Sequence, residues 1–315
     1  MGILVIGAVF VDIKGYPIGQ YIPGGRNVGR VVQVHGGVSR NVVEDIANVE
    51  LRPTYLSVVD QSGISDDVIT KLQRHKVNTE YIQRTEDGLG TWLAVFDHTG
   101  DVVASISKRP NLDAIGAVLD EKGDEIIGNC DSIVVEIDME AHLLKKVFDL
   151  AKKYGKRVYA VVSNMSIAME RRDLLQETGC IVCNDQEASM LFSEDYQEVS
   201  AEEMRNYLVR KVREANYERM VVTMGDKGAV YADKDGESGI VPAQKVDVVD
   251  TTGAGDAFFA GVAIGLTYGK RLGESCVIGT RLASAVIASK ENVCPRFRPE
   301  EFGLDVQGSQ FSLFE

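Results

Sequence analysis

The sequence predicts an α/β fold of three layers, with a mostly parallel central sheet, helices on both of its faces and a smaller β unit beside it. Three observations carry this. Short apolar, β-rich runs alternate with amphipathic helical ones over most of the chain, the pattern of successive βαβ units. The strand runs are nearly continuous in apolar residues, as strands covered on both faces require. Two segments, 14–33 and 88–107, break the alternation and read as antiparallel β structure outside the main sheet.

Taken in order, the first strand candidate spans residues 3–11 and opens on Ile3, Leu4, Val5 and Ile6. Others follow at 55–59, 133–137, 157–162, 180–183 and 220–223, each too short for a core helix. Helices are expected at 40–49, 65–76, 141–154, 168–176 and 201–216, with Val42, Val43, Ile46, Ala47 and Val49 giving a typical stripe. In 88–107, Trp92, Ala94 and Phe96 alternate along one strand, and Val102 to Ile106 return after a polar turn. Beyond Gly225 come a Gly-Ala-Val-Tyr-Ala-Asp strand, a short Gly-Ile-Val-Pro-Ala segment, an apolar helix entered at Asp256 and a second long helix at 273–289. The tail after Pro295 has no regular pattern. Residues 1–13, 34–87 and 108–315 are thus assigned to the core, and 14–33 and 88–107 to the β unit.

With 315 residues, 44% of them hydrophobic and only seven prolines, the chain can bury a large core. No apolar run approaches the roughly 20 residues of a membrane span, and the opening residues carry neither a basic n-region nor a cleavage site. A cytoplasmic protein without a membrane partner is expected. The formal charge of −13 leaves no broad basic surface for a nucleic acid polymer. Any phosphate ligand therefore falls to local amides, a few basic side chains and a metal ion. Cys180 and Cys183 lie three apart in a strand, on opposite faces, and no second pair completes a zinc site, so the five cysteines are expected to be structural.

The chemistry concentrates in Val-Asp-Thr-Thr-Gly-Ala-Gly-Asp at 249–256. Gly253 and Gly255 permit backbone conformations closed to other residues, and the free amides of the following first turn attract an anion. An Asp among those amides would repel a phosphate unless it has a task of its own, such as taking a proton from an attacking hydroxyl. The simpler reading of Asp256 is a helix cap. At 36–41, Gly36 and Gly37 precede Ser39, read as an N-cap, then Arg40 and Asn41. Asn184 and Glu187 stand at a strand-to-helix junction, where capping is again the simpler reading.

The 250–256 string resembles the signature of the ribokinase-like, PfkB-type carbohydrate and nucleoside kinases, Asp-Thr-x-Gly-Ala-Gly-Asp. The resemblance implies a ribokinase-like three-layer fold and the 14–33 and 88–107 segments as a β lid over the substrate, through which many members also dimerise. It makes Asp256 the catalytic base and gives the Gly253, Ala254 and Gly255 amides to the transferring phosphate. Gly36, Gly37 and Asn41 resemble the family's first motif, which places them with Asp12 against a sugar, and Asp138 is a second contact candidate. Asn184 is implied near the phosphates and Glu187 in the water shell of Mg²⁺. Thr223, Gly225 and Gly228 resemble the nucleotide loop of an ATP site. Asp250 and Thr252 stand where some members hold a monovalent cation such as K⁺, and Thr252 also falls beside the nucleotide. Because a loose transition state lets the proton move late, an Asp of ordinary acidity would serve.

The Gly-Gly-Val-Ser-Arg-Asn form resembles pseudouridine kinases, with Arg40 the discriminating residue. Pseudouridine 5′-phosphorylation is therefore the leading expectation, with ribokinase or another sugar kinase as the alternative. Against it, Ser107 to Asn111 lacks the acidic sequence expected after the lid. A non-catalytic sugar or nucleotide sensor on the same fold is the competing class. A dinucleotide oxidoreductase is disfavoured because no Gly-x-Gly-x-x-Gly follows the first strand.

Overall fold

The computed structural model describes residues 2–99 and 101–304. Its strands are β1 (Ile3–Ile6), β2 (Phe10–Pro17), β3 (Gly29–Gly36), β4 (Thr54–Val59), β5 (Ile82–Arg84), β6 (Gly90–Phe96), β7 (Val102–Lys108), β8 (Ser132–Glu136), β9 (Val158–Val161), β10 (Ile181–Asn184), β11 (Arg219–Thr223), β12 (Ala229–Asp233) and β13 (Ser238–Val241). The α-helices are α1 (Val38–Asn48), α2 (Gly63–Arg74), α3 (Asp113–Asn129), α4 (Ala141–Lys153), α5 (Met165–Met169), α6 (Arg172–Glu177), α7 (Asp185–Phe192), α8 (Ala201–Glu214), α9 (Ala254–Thr267) and α10 (Leu272–Ile287).

Among the described residues the main sheet has the order β13, β12, β11, β10, β9, β8, β1, β4, β5. It is parallel from β5 to β11, and only β12 and β13 run antiparallel to their neighbours. Alternate strand residues feed two separate cores. Leu4, Ile6, Ile133 and Val135 face α3, α4 and α8, while Ile3, Val5 and Val134 face α1, α2, α9 and α10. This is the expected arrangement of three layers, each strand covered on both sides. Cys180 and Cys183 fall in opposite cores as free, buried thiols.

Three expectations need correction. The run 3–11 is not one strand, because at Gly7 and Ala8 side chains take over from the ladder, Gly7 N alone keeping a long bond to Leu56 O at 3.4 Å. Ser57 Oγ donates to Gly7 O at 2.5 Å, Ser39 Oγ and Tyr55 Oη donate to Ala8 O at 3.0 Å, and Ala8 N donates to Glu136 Oε2 at 3.3 Å. The chain turns there into a second sheet. The helix expected at 168–176 is two short ones, α5 and α6, broken at Glu170 and Arg171 so that Met165, Ala168 and Leu175 all reach one core. Ser39 is not an N-cap; Gly37, at φ 97°, takes that place, and Ser39 lies buried within α1.

The helix α3 was not expected. Ile115, Val118, Leu119, Ile126 and Ile127 do keep a helical spacing and are buried, but Gly116 and Gly123 dilute the pattern. Those glycines serve packing: a Cβ would lie 2.9 Å from Leu143 Cδ2 and 2.7 Å from Leu150 Cδ1, so α4 can sit close.

The two segments outside the main sheet join into one four-stranded sheet, in the order β3, β2, β6, β7, with β2 and β6 parallel rather than as two independent hairpins. Asp12 pairs with Val34 and Trp92, and Trp92 with Ser107, so these share one face. Val31, Leu93 and Ile106 lie on the other face and are exposed. No helix among the described residues is long and apolar enough to cross a membrane. The tail from 305 onward lies outside the described residues.

Candidate active site

A cavity of about 420 Å³ opens where the second sheet meets the carboxyl ends of β1 and β8 and the N-termini of α1 and α9. Asp12, Gly36, Gly37, Asn41, Asp138, Thr252 and Asp256 all line it. A larger cavity of about 710 Å³ lies between α1, α2 and residues 289–296, but none of the expected site residues line it. Convergence of chemistry, rather than size, marks the smaller one as the site.

The helix α9 is built to leave its N-terminus open. Gly253 is the N-cap at φ 83°, where a Cβ would meet Asn292 O at 2.0 Å, so no other residue fits that turn. No side chain caps the helix. Ala257 N makes a helical bond to Gly253 O at 3.0 Å, and the amides of Gly255 and Asp256 precede it. With the helix dipole they form a ready place for an anion. Asp256, third in the helix, does not reach back to the N-cap. It is held across the cavity by Asn41 Nδ2, which donates to its Oδ2 at 2.7 Å. Burial raises the Asp256 carboxyl to about 6, against the opposing effects of the Asn41 hydrogen bond and the Arg40 charge. The proposed chemistry does not require such a shift, but it brings the group closer to neutral pH.

The opposite wall of the cavity is equally specific. Asp12 faces the cavity and is made less acidic by its burial. Gly36 lies so close that a Cβ would stand 2.7 Å from Asp12 Oδ1, and at Gly37 one would stand 2.8 Å from Ala8 O. Asn41 Oδ1 and Asp138 Oδ1 are buried without hydrogen-bond partners. Such acceptors are costly unless a ligand supplies the donors.

Arg40 departs from expectation. It does not line the cavity; it is 1% exposed, pairs with Glu44, and donates to Gly36 O at 3.1 Å and His35 O at 3.0 Å. Its guanidinium thus fixes the glycine loop from behind, because a buried cation must be paired inside the protein.

Of the residues expected around a nucleotide, Thr252 lines the cavity, while Asn184, Thr223, Gly225 and Gly228 do not. Asn184 and Thr223 are register partners at the ends of β10 and β11. Asn184 and Glu187 form a reciprocal cap, Glu187 N to Asn184 Oδ1 and Asn184 N to Glu187 Oε2, each at 2.8 Å. The capping reading holds, yet burial also raises the Glu187 carboxyl, and its charge reaches Asp256. Gly225 and Gly228 have φ 57° and 92°, and a Cβ on Gly228 would clash with Val241 O. Asp250 is made more acidic by a hydrogen bond from Thr252 N, 2.8 Å away.

Sequence reasoning missed Glu136, Trp92, Arg109, Ser163 and Asn292 as cavity residues. Glu136 accepts from Ser39 N at 3.0 Å and Ala8 N, and burial together with the charge of neighbouring Asp138 makes its carboxyl less acidic. Glu136 and Ser163 end or follow β8 and β9, where parallel sheets place ligands, and that position was the available signal.

Residues 2–294 match the pfkB family carbohydrate kinase. The chain is 33% identical over 292 residues to the guanosine-inosine kinase of Exiguobacterium acetylicum, covering 92% of this chain and 95% of that protein. It is 26% identical over 283 residues to the pseudouridine kinase of Escherichia coli (strain K12), covering 87% and 86%. In structure it superposes on Arabidopsis thaliana ribokinase complexed with ribose and ATP with a TM-score of 0.81, at 18% identity over 95% of this chain and 97% of that one, so the fold is ribokinase-like. The chain belongs to the pfkB family of carbohydrate kinases and is a phosphotransferase with an alcohol group as acceptor.

Proposed function

We propose that the protein transfers the γ-phosphate of ATP to the primary hydroxyl of a ribonucleoside. The observation that carries this is the Asn41 to Asp256 hydrogen bond at the mouth of an open helix N-terminus. Asp256 Oδ1 is left to take the hydroxyl proton as the new O–P bond forms and the bond to the ADP oxygen breaks. The amides of α9 stabilise charge on the transferred group, and Asp12, Gly37 and Asn41 hold the sugar hydroxyls. The second sheet covers the site as a lid that excludes water.

A nucleoside is favoured over a bare sugar because Phe10, Trp92, Pro110 and Met139 give the cavity apolar walls that hydroxyls do not need. Pseudouridine loses its discriminating residue, since Arg40 faces the interior. The names of the relatives support guanosine and inosine as acceptors to be weighed beside it.

No group of three or more His, Cys, Asp or Glu among the described residues is placed to hold a metal. Glu187, half-buried and unpaired by any cation, fits an ion held mainly by phosphates and water, as Mg²⁺ prefers. Mg²⁺ would supply charge neutralisation on the phosphates. Asp250 and Thr252 would hold K⁺ where one is used. ADP release measured across ribose, fructose, adenosine, inosine, guanosine, uridine and pseudouridine tests the acceptor. Turnover is expected with nucleosides; turnover with ribose or fructose alone would overturn the reading.

A further inference from the structure

Three segments meet on one wall of the acceptor cavity. Arg109 follows β7, Asp138 follows β8 and Ser163 follows β9, and all three line the cavity. Arg109 Nη2 donates to Asp138 Oδ2 at 2.5 Å, and Ser163 Oγ donates to the same oxygen at 2.6 Å. Asp138 Oδ1 is left buried without a donor. The Asp138 side chain is wholly buried, while that of Arg109 is 52% exposed. Among the described residues the other N–H groups of Arg109 meet no protein acceptor. A ligand reaching this wall therefore meets an oxygen that requires a donor, next to donors that require an oxygen.

We infer that Arg109 and Asp138 together read the base of the nucleoside and select a lactam edge, a ring N–H beside a carbonyl. This rests on the nucleoside reading given above and moves Asp138 from the sugar to the base. A carboxylate accepts and a guanidinium only donates, so the pair has a fixed polarity. Inosine and guanosine present N–H then C=O in matching order, and the imide of pseudouridine offers the same pair. Adenosine presents a ring lone pair beside an amino group, which sets acceptor against carboxylate and donor against guanidinium. Its purine has nearly the shape of inosine, so the apolar walls at Phe10, Trp92 and Met139 cannot make the distinction. The polar pair can, because a mismatched buried group is left unsatisfied.

The test compares inosine, 1-methylinosine and adenosine as acceptors for the full-length protein, with kcat/KM read from ADP release. The wild type is expected to prefer inosine to adenosine by at least roughly 100-fold, with 1-methylinosine as poor as adenosine. Arg109→Met is expected to lower inosine kcat/KM by roughly 10- to 100-fold while adenosine is held or raised, because the guanidinium no longer opposes its amino group. Adenosine turnover in the same preparation reports that the variant is folded. Equal losses on both purines, or a wild type indifferent between them, would overturn the inference. Turnover of ribose with no nucleoside accepted would instead remove the nucleoside reading on which it rests, and the inference with it.

Discussion

Asp256 sits between two demands that pull its proton in opposite directions. Burial holds the carboxyl at about 6, while Asn41 and the charge of Arg40 favour the anion. A base must be ionised, so kcat/KM is expected to climb about tenfold per pH unit below an apparent pKa near 6 and to level off above it. The stability effect has the reverse sense. The folded state keeps a proton that the unfolded chain releases at its model value of 3.8, so this group's contribution is present below 3.8 and is lost as pH rises to about 6. A pH–rate profile with the best acceptor checks the first part. A flat profile from pH 5 to 8 would contradict the role of Asp256. Arg40 makes the complementary point at the same scale. A cation near a substrate motif invites a contact role, yet only the fold reveals that Glu44 and two loop carbonyls surround it.

At the scale of elements, the strands and most helices were legible because their patterns reflect burial directly. Alternate residues of β1 serve opposite cores, and α1 shows the stripe that its packing requires. The failures share a cause: tertiary contacts replaced a local rule. Side chains of Ser39, Ser57 and Tyr55 stand in for ladder partners at residues 7 and 8, which divides one apolar run into β1 and β2. Glycines hide α3 because they answer to α4 rather than to helix propensity. Gly261 and Gly279 work the same way, since a Cβ on Gly261 would lie 2.5 Å from Gly279 Cα, and α9 can then pack closely on α10. The second sheet carries the remaining expectation, a homodimer. Its outer face exposes Val31 and Ile106, each 69% accessible, a type of surface that marks association. Ile106→Glu is expected to convert a dimer into a monomer in analytical ultracentrifugation, and a wild type that sediments as a monomer would contradict the expectation.

For the whole molecule, the site is a product of topology. Asn41 and Asp256, 215 residues apart in sequence, meet because α1 and α9 pack on the same face of the sheet with their N-termini converging. The surrounding strand ends deliver Asp138, Ser163, Asn184 and Thr223 along one edge, so the residues proposed for acceptor and nucleotide fall side by side. With the chain's net charge of −13, backbone amides and a few local cations are left, in the proposed reading, to receive phosphate there. Motif residues were readable because their backbone needs are strict: Gly253 has no space for a Cβ, and Gly37 requires positive φ. Arg109 and Asn292 were not, since nothing local distinguishes them from solvated polar residues. The most direct test is Asp256→Asn, which keeps shape and the Asn41 contact but removes the base. The account predicts that nucleotide binding persists while turnover with the best acceptor falls by roughly 10²- to 10⁴-fold. Turnover within a few-fold of wild type would contradict it.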